Sequence, residues 1–160
     1  MVKIPAGIDD GSQLRLSNEG ESGLRGGPQG NLYITLSVLP HEFFIRDGDN
    51  LLYELPVNFA QAALGAEVEV PTLGSTVKLK IPAGSQAGKT FRLKGQGIAH
   101  LHGSGRGDQI VNLLVVTPQS LTKKQRQLFE ELSGCLGPEN MPPLEKQEGL
   151  LGKFKNVFGA

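Results

Sequence analysis

KIPAGIDDG, at Lys3–Gly11, returns almost unchanged as KIPAGSQAG at Lys80–Gly88. The same offset of 77 residues keeps matching beyond this phrase without a gap. Arg15 and Leu16 fall on Arg92 and Leu93, Gly20 on Gly97, Leu24 on Leu101, Gly26 on Gly103, Gly30 on Gly107, Leu36 on Leu113 and Val38 on Val115. The shared positions are turn glycines and alternating apolar residues, the trace of a repeated fold unit rather than of a repeated catalytic site. Residues 46–78 lie ahead of the second copy, whereas the first copy has only Met1 and Val2 ahead of it. The expected organisation is an incomplete first unit over 1–45, a complete second unit over 46–120, and a tail over 121–160.

Twenty-two glycines and ten prolines spread between alternating segments predict a mainly β chain: two consecutive small β-sandwich units, the first incomplete, with a short helix and a C-terminal helical tail. Val2 and Ile4, Leu14 and Leu16, and Leu32, Ile34, Leu36 and Val38 have the period of strands with one buried face. Val77, Leu79 and Ile81, then Phe91 and Leu93, repeat it. Ile110–Val116 is apolar almost throughout and predicts a strand covered on both sides. Between these blocks LLYELPVNFAQAALGAEVEV, at Leu51–Val70, reads as strand, helix, strand, with Asn58 as N-cap and Gly65 in the left-handed C-terminal position.

After Pro118 the period becomes helical. Thr122 and Gln125 have capping-box spacing, and Leu121, Leu128, Phe129 and Leu132 share a face. Lys123 and Lys124 at its start and Glu130 and Glu131 near its end oppose the helix dipole, so packing is expected to hold this helix. LGPENMPPLEKQEG is a linker, and LLGKFKNVF beyond it puts Leu150, Leu151, Phe154, Val157 and Phe158 on one apolar face. Nine residues are too few for an isolated helix, so this face needs a partner: its own domain or a second chain.

Sixteen basic residues balance sixteen acidic ones, which gives neither a nucleic-acid footprint nor a polybasic membrane patch. No apolar run reaches a membrane span and the start is not a secretory signal, so the cytosol is the expected compartment. Cys135 is the single cysteine, a buried or idle thiol that excludes an internal disulfide and a cysteine zinc site. HLHGSGRGD, at His100–Asp108, offers two histidines and a glycine-rich loop, but a strand follows it where a phosphate cradle needs a helix. It reads as a hairpin connection. Asp9, Asp10, Asp47 and Asp49 sit in Asp-Gly turn chemistry with no apolar setting to raise a pKa, and no triad accompanies them. The sequence makes no case for an enzyme. Phe43, Phe44 and Ile45, in HEFFIRDGDN, stand at the junction of the two units, either as core linking them or as an apolar groove for an extended peptide.

The RDGDN junction, the LPVNFAQAALG segment and KIPAGSQAGKTFRLKGQGI together make residues 2–133 strongly similar to the C-terminal substrate-binding region of DnaJ-type co-chaperones, the J-domain proteins. The resemblance implies two consecutive β-sandwiches, dimerisation through the extreme C-terminus, here Leu150, Leu151, Phe154, Val157 and Phe158, and capture of unfolded or extended polypeptides for a DnaK-type chaperone. In that family a client lies along a strand edge with apolar side chains in a shallow pocket of the first sandwich. Phe44 matches the pocket aromatic, and the other walls correspond to strands ahead of the first copy. By the repeat, a counterpart in the second unit falls on Tyr53, Leu55, Val68, Val70 and Leu121, residues equally placed to be core. The His-Pro-Asp tripeptide of a J domain and the Cys-x-x-Cys-x-Gly-x-Gly repeats of a zinc ribbon are absent from this sequence, so no cofactor and no stimulation of the partner's ATPase are expected of it. A dimeric β-sandwich scaffold without client binding is the alternative.

Overall fold

The computed structural model describes residues 2–23 and 27–140. Along them run β1 (Gln13–Leu16), β2 (Leu32–Thr35), β3 (Phe44–Asp47), β4 (Asn50–Asn58), α1 (Phe59–Leu64), β5 (Ala66–Pro71), β6 (Thr76–Ile81), β7 (Thr90–Leu93), β8 (Gln109–Val116) and α2 (Lys123–Cys135), with a 3-10 turn at Pro138–Asn140. They fall into two compact units, one up to Thr117 and one from Pro118.

The 77-residue offset is reproduced in the pairing and turn hydrogen bonds of the hairpin. β1 pairs antiparallel with β2, Gln13 opposite Thr35, as β7 pairs with β8, Thr90 opposite Asn112. Gly11 N–H donates to Leu36 O at 2.9 Å, and Gly88 N–H to Leu113 O at 2.8 Å. Gly20 N–H donates to Gly30 O at 2.9 Å, and Gly97 N–H to Gly107 O at 2.8 Å. Asn18, at φ 61°, occupies the left-handed position that Gly95 fills in the second copy, a conformation Asn tolerates better than other side chains.

The second copy is a sandwich. One sheet has the order β3-β4-β8-β7, with β4 and β8 parallel and the outer pairs antiparallel; the other is the β5-β6 hairpin. Leu55 and Val57 from β4, Val70 from β5, Leu79 and Ile81 from β6, and Val111 and Leu113 from β8 close the core, with Ala62 of α1 sealing one end. Around them pack Tyr53, Val68, Phe91, Leu93 and Val115. Among the described residues, the first copy carries the counterparts of β7 and β8 alone. Val2 and Ile4, matching Leu79 and Ile81, are exposed and lie in no strand. Their counterparts are held by β5, which has no equivalent among the described residues of the first copy, and a strand's N–H and C=O groups need such a partner.

α1 starts as its sequence requires. Asn58 Oδ1 accepts Gln61 N–H at 2.8 Å, and Gln61 Oε1 accepts Asn58 N–H at 3.0 Å, a complete capping box. Asn58→Ala is therefore expected to lower stability by about 1 kcal/mol in thermal or urea melts, the usual worth of an N-cap. Gly65 does take a positive φ, 80°, but its ψ of 154° lies outside the left-handed helical region expected for it. A Cβ there would meet Ala83 N and Ile81 O at 2.9 Å, so the close passage of β6 sets this conformation.

Two further expectations are corrected, at β8 and at Cys135. β8 is covered on one side: Val111 and Leu113 are fully buried, whereas Leu114 and Val116 are 42% and 45% exposed. Both parities of the strand are apolar, but only one faces the β5-β6 layer. α2 begins with the Thr122–Gln125 capping box as expected; on the face expected to pack, Phe129 is half-buried and Leu128 and Leu132 are exposed. Cys135 is exposed, so of the two readings of this thiol, buried or idle, the buried one does not hold. The linker from residue 141 and the apolar face of Leu150, Leu151, Phe154, Val157 and Phe158 lie outside the described residues.

Candidate functional site: an edge strand between two apolar grooves

β3 is four residues long and pairs only with β4 among the described strands, so one of its edges carries free N–H and C=O groups. Strand geometry sends its side chains alternately to the two faces of the sheet. Phe44 points into the sandwich, where it is 7% exposed; its ring lies 4.9 Å from His41 and 5.7 Å from Tyr53. Ile45 points outward and is 65% exposed.

Each face of β3 opens onto a groove. On the outer face, Phe43, Ile45, Leu52, Pro56 and Ile110, with His41, Glu42, Glu54, Thr90 and Asn112 as polar surround, line a depression of about 720 Å³. On the inner face, at the junction of the two copies, Asp9, Asp10, Val38, Leu39 and Pro40 face Phe44, Arg46, Leu51, Leu73 and Ile98 across about 650 Å³. Exposed Phe43, Leu39, Leu73 and Val38 add apolar surface at the groove mouths. Both copies thus supply walls to the inner groove, and one strand divides it from the outer one.

The tempting polar motifs have structural employment. His100 Nδ1 lies 2.7 Å from Asp49 Oδ2, tying the loop between β7 and β8 to the β3-β4 turn. Asp108 accepts Gly95 N–H at 2.7 Å and pairs with Arg92, and these two partners hold its carboxyl below the ordinary carboxylate range, the Gly95 N–H first. Asp10 Oδ1 accepts Val38 N–H at 2.8 Å, and Asp9 pairs with Arg46. Among the described residues no three His, Cys, Asp or Glu side chains are placed to hold a metal ion. No helix among them is long and apolar enough to cross a membrane.

Of the residues singled out in the sequence, Phe44 and Tyr53 meet at the inner face of the β3-β4 pair. Leu55 and Val70 are 5% and 0% exposed in the core, so they support the sheet without offering side-chain surface. Val68 packs half-buried against the same core, and Leu121 lies half-buried just ahead of the α2 N-cap, in the unit that begins at Pro118. Leu52, Pro56 and Ile110 were not singled out. Their signal was present: each sits at the parity opposite to the core residues of its strand.

Compared with known proteins, residues 1–118 match the family model described as the DnaJ C terminal domain. Among curated relatives, "Chaperone protein DnaJ" of Roseiflexus sp. (strain RS-1) is 52% identical over 158 residues, 99% of this chain and 42% of the relative. Proteins of the same name from Geobacillus thermodenitrificans (strain NG80-2) and Geobacillus kaustophilus (strain HTA426) are 57% identical over 96% of the chain and 61% identical over 83% of it. They extend well past it, the chain covering 39% and 36% of their lengths.

Proposed function

Because this chain belongs to the DnaJ C-terminal domain family, we propose that it is the client-binding part of a co-chaperone, holding unfolded polypeptide in extended form for a DnaK-type chaperone. The observation that carries the reading is the free edge of β3 with an apolar groove on either face. A client segment adds to that edge through main-chain hydrogen bonds. Its successive side chains then enter the outer and the inner groove in turn, so affinity comes from the backbone and selectivity from the grooves. Such a seat favours apolar and aromatic side chains at alternate positions and reads no particular order of them, as a partner of many unfolded chains must. The reading needs neither metal nor cofactor, and the balanced charge fits a protein partner better than nucleic acid or a membrane surface.

A single four-residue edge binds weakly. Pairing of two copies through Leu150, Leu151, Phe154, Val157 and Phe158 would bring two such seats onto one client and raise the overall affinity through effective concentration.

The test is titration of a fluorescent, unfolded apolar peptide into the chain, followed by anisotropy. Ile45→Asp with Leu52→Lys places a cross-strand pair of opposite charges in the outer groove at positions that are 65% and 36% exposed. The fold should keep its stability within about 0.5 kcal/mol per site, as surface substitutions do. Affinity should fall about tenfold or more, equivalent to about 1.4 kcal/mol. Unchanged affinity in a folded variant would reject β3 as the seat and favour the scaffold.

A further inference from the structure

The turn that opens the repeat docks differently in its two copies. In the second copy Gly84 N–H and Ser85 N–H donate to Ala63 O and Ala62 O at 3.0 and 3.1 Å, so α1 holds the turn. The equivalent residues of the first copy, Gly7 and Ile8, are held instead through their carbonyls, and the donor is Arg46. Its Nη1 donates to Ile8 O at 2.7 Å and its Nη2 to Gly7 O at 3.0 Å, while Nε donates to Gly48 O at 2.9 Å in its own β3-β4 turn. Nη2 also pairs with Asp9. The other side of the turn is closed by backbone: a Cβ on Gly7 would come within 2.0 Å of Ala99 O.

We propose that Arg46 is the positioning residue that fixes the orientation of the first repeat on the second, and with it the width of the inner groove. Only a planar guanidinium presents donors in the directions needed to meet Gly48 on one side and Gly7 and Ile8 on the other. The groove wall follows from this anchor. Asp9 adjoins the anchored turn, Asp10 Oδ1 holds Val38 N–H, and Val38 with Leu39 forms the wall facing Phe44 and Ile98. The orienting role stands independently of what the groove binds; its consequence for a client rests on the client-binding reading.

Pulsed electron–electron distance measurement decides it. In the full chain carrying Cys135→Ser, spin labels go on Glu19→Cys in the first copy and Glu69→Cys in the second, both exposed positions. Labelled chain is mixed with an excess of unlabelled chain so that only distances within one chain are read, and with Arg46 in place one narrow distance distribution is expected. Arg46→Ala should broaden it, and Arg46→Lys should also, since one ammonium cannot serve both turns. Asp9→Asn should leave it narrow, because the carbonyl bonds remain and the exposed ion pair contributes little. A narrow distribution in both Arg46 variants overturns the assignment, and the lysine variant decides the question if the alanine variant does not fold.

Peptide affinity, measured on the same samples, separates the two readings. Broadening together with a severalfold loss of affinity supports both, with Leu79→Ala in the core as a destabilised control that keeps its affinity. Broadening with unchanged affinity supports the orienting role and removes the inner groove as a client seat.

Discussion

Replacing Gly107 with alanine is expected to lower stability by about 3 kcal/mol or more, at the upper end of what overpacking costs. The new Cβ would lie 2.1 Å from Asp49 O and 2.5 Å from Asp49 C, and these are backbone atoms that cannot turn aside. The loop between β7 and β8 would have to lift off the β3-β4 turn. That movement breaks the Ile98 N–H bond to Asp49 O at 2.8 Å, the bond from Leu51 N–H to Asp108 O at 3.0 Å, and the contact between His100 and Asp49. Each net hydrogen bond is worth about 1 kcal/mol, so the losses compound the clash.

The first repeat supplies the control. Gly30 stands where Gly107 stands in the second copy, but a Cβ there meets nothing closer than Glu21 O at 3.6 Å. Gly30→Ala should therefore change stability by no more than about 0.5 kcal/mol, the usual range for an unencumbered surface site. Urea denaturation followed by circular dichroism distinguishes the two. Equal effects at both positions would mean that the glycines serve the hairpin itself, and not the seating of the loop against the β3-β4 turn. The consequence reaches the proposed site, because that turn ends the strand along which a client is expected to lie.

The repeat was legible because turns and parities are local. Gly11 and Gly88, or Leu36 and Leu113, need only their own hairpin to be recognised, and the structure returns the same bonds at both. Asn58 and Gln61, and Thr122 and Gln125, carry their caps within four residues. Lateral order was not legible. Alternation tells which side chains share a face but not which strand lies alongside, so nothing in Leu51–Val57 announced that β4 would run parallel to β8.

The grooves show the same limit. The run Ile110–Val116, apolar but for Asn112, carries a signal of two apolar faces, and the sequence pattern predicts cover over both. In the structure the second face is open, and Ile110 lines the outer groove beside Leu52 and Pro56. A strand apolar at both parities has two physical outcomes, burial between layers or one layer and a docking surface, and the pattern alone does not separate them. Arg46 was hidden for another reason. Its partners are carbonyls of Gly7 and Ile8, and every residue has a carbonyl, so no side-chain pattern marks the pair.

Gln109→Glu is expected to destabilise the second sandwich by about 3–5 kcal/mol near neutral pH, the range found when a buried charge is left without its partner. Gln109 is 0% exposed; its Nε2 donates to Pro71 O at 2.9 Å across the two sheets, and its Oε1 has no partner among the described residues. A carboxylate at this place turns one satisfied contact into two oxygens facing each other and leaves a charge in the core. Burial raises the folded-state pKa of the new acid above its unfolded value, about 4.3. The variant's deficit should therefore be smallest below that value, where the protonated acid can still donate to Pro71 O. It should grow as pH rises from the unfolded to the folded pKa, because the unfolded chain ionises first. Gln109→Leu, which installs the residue that Leu32 supplies in the first repeat, carries no charge and should show no such pH dependence relative to the parent chain. Thermal melts of the three proteins between pH 4 and 8 make the comparison. A glutamate variant as stable as its parent at pH 7 would mean that water reaches Gln109, and that the sandwich is open along the line where β8 meets the end of β5.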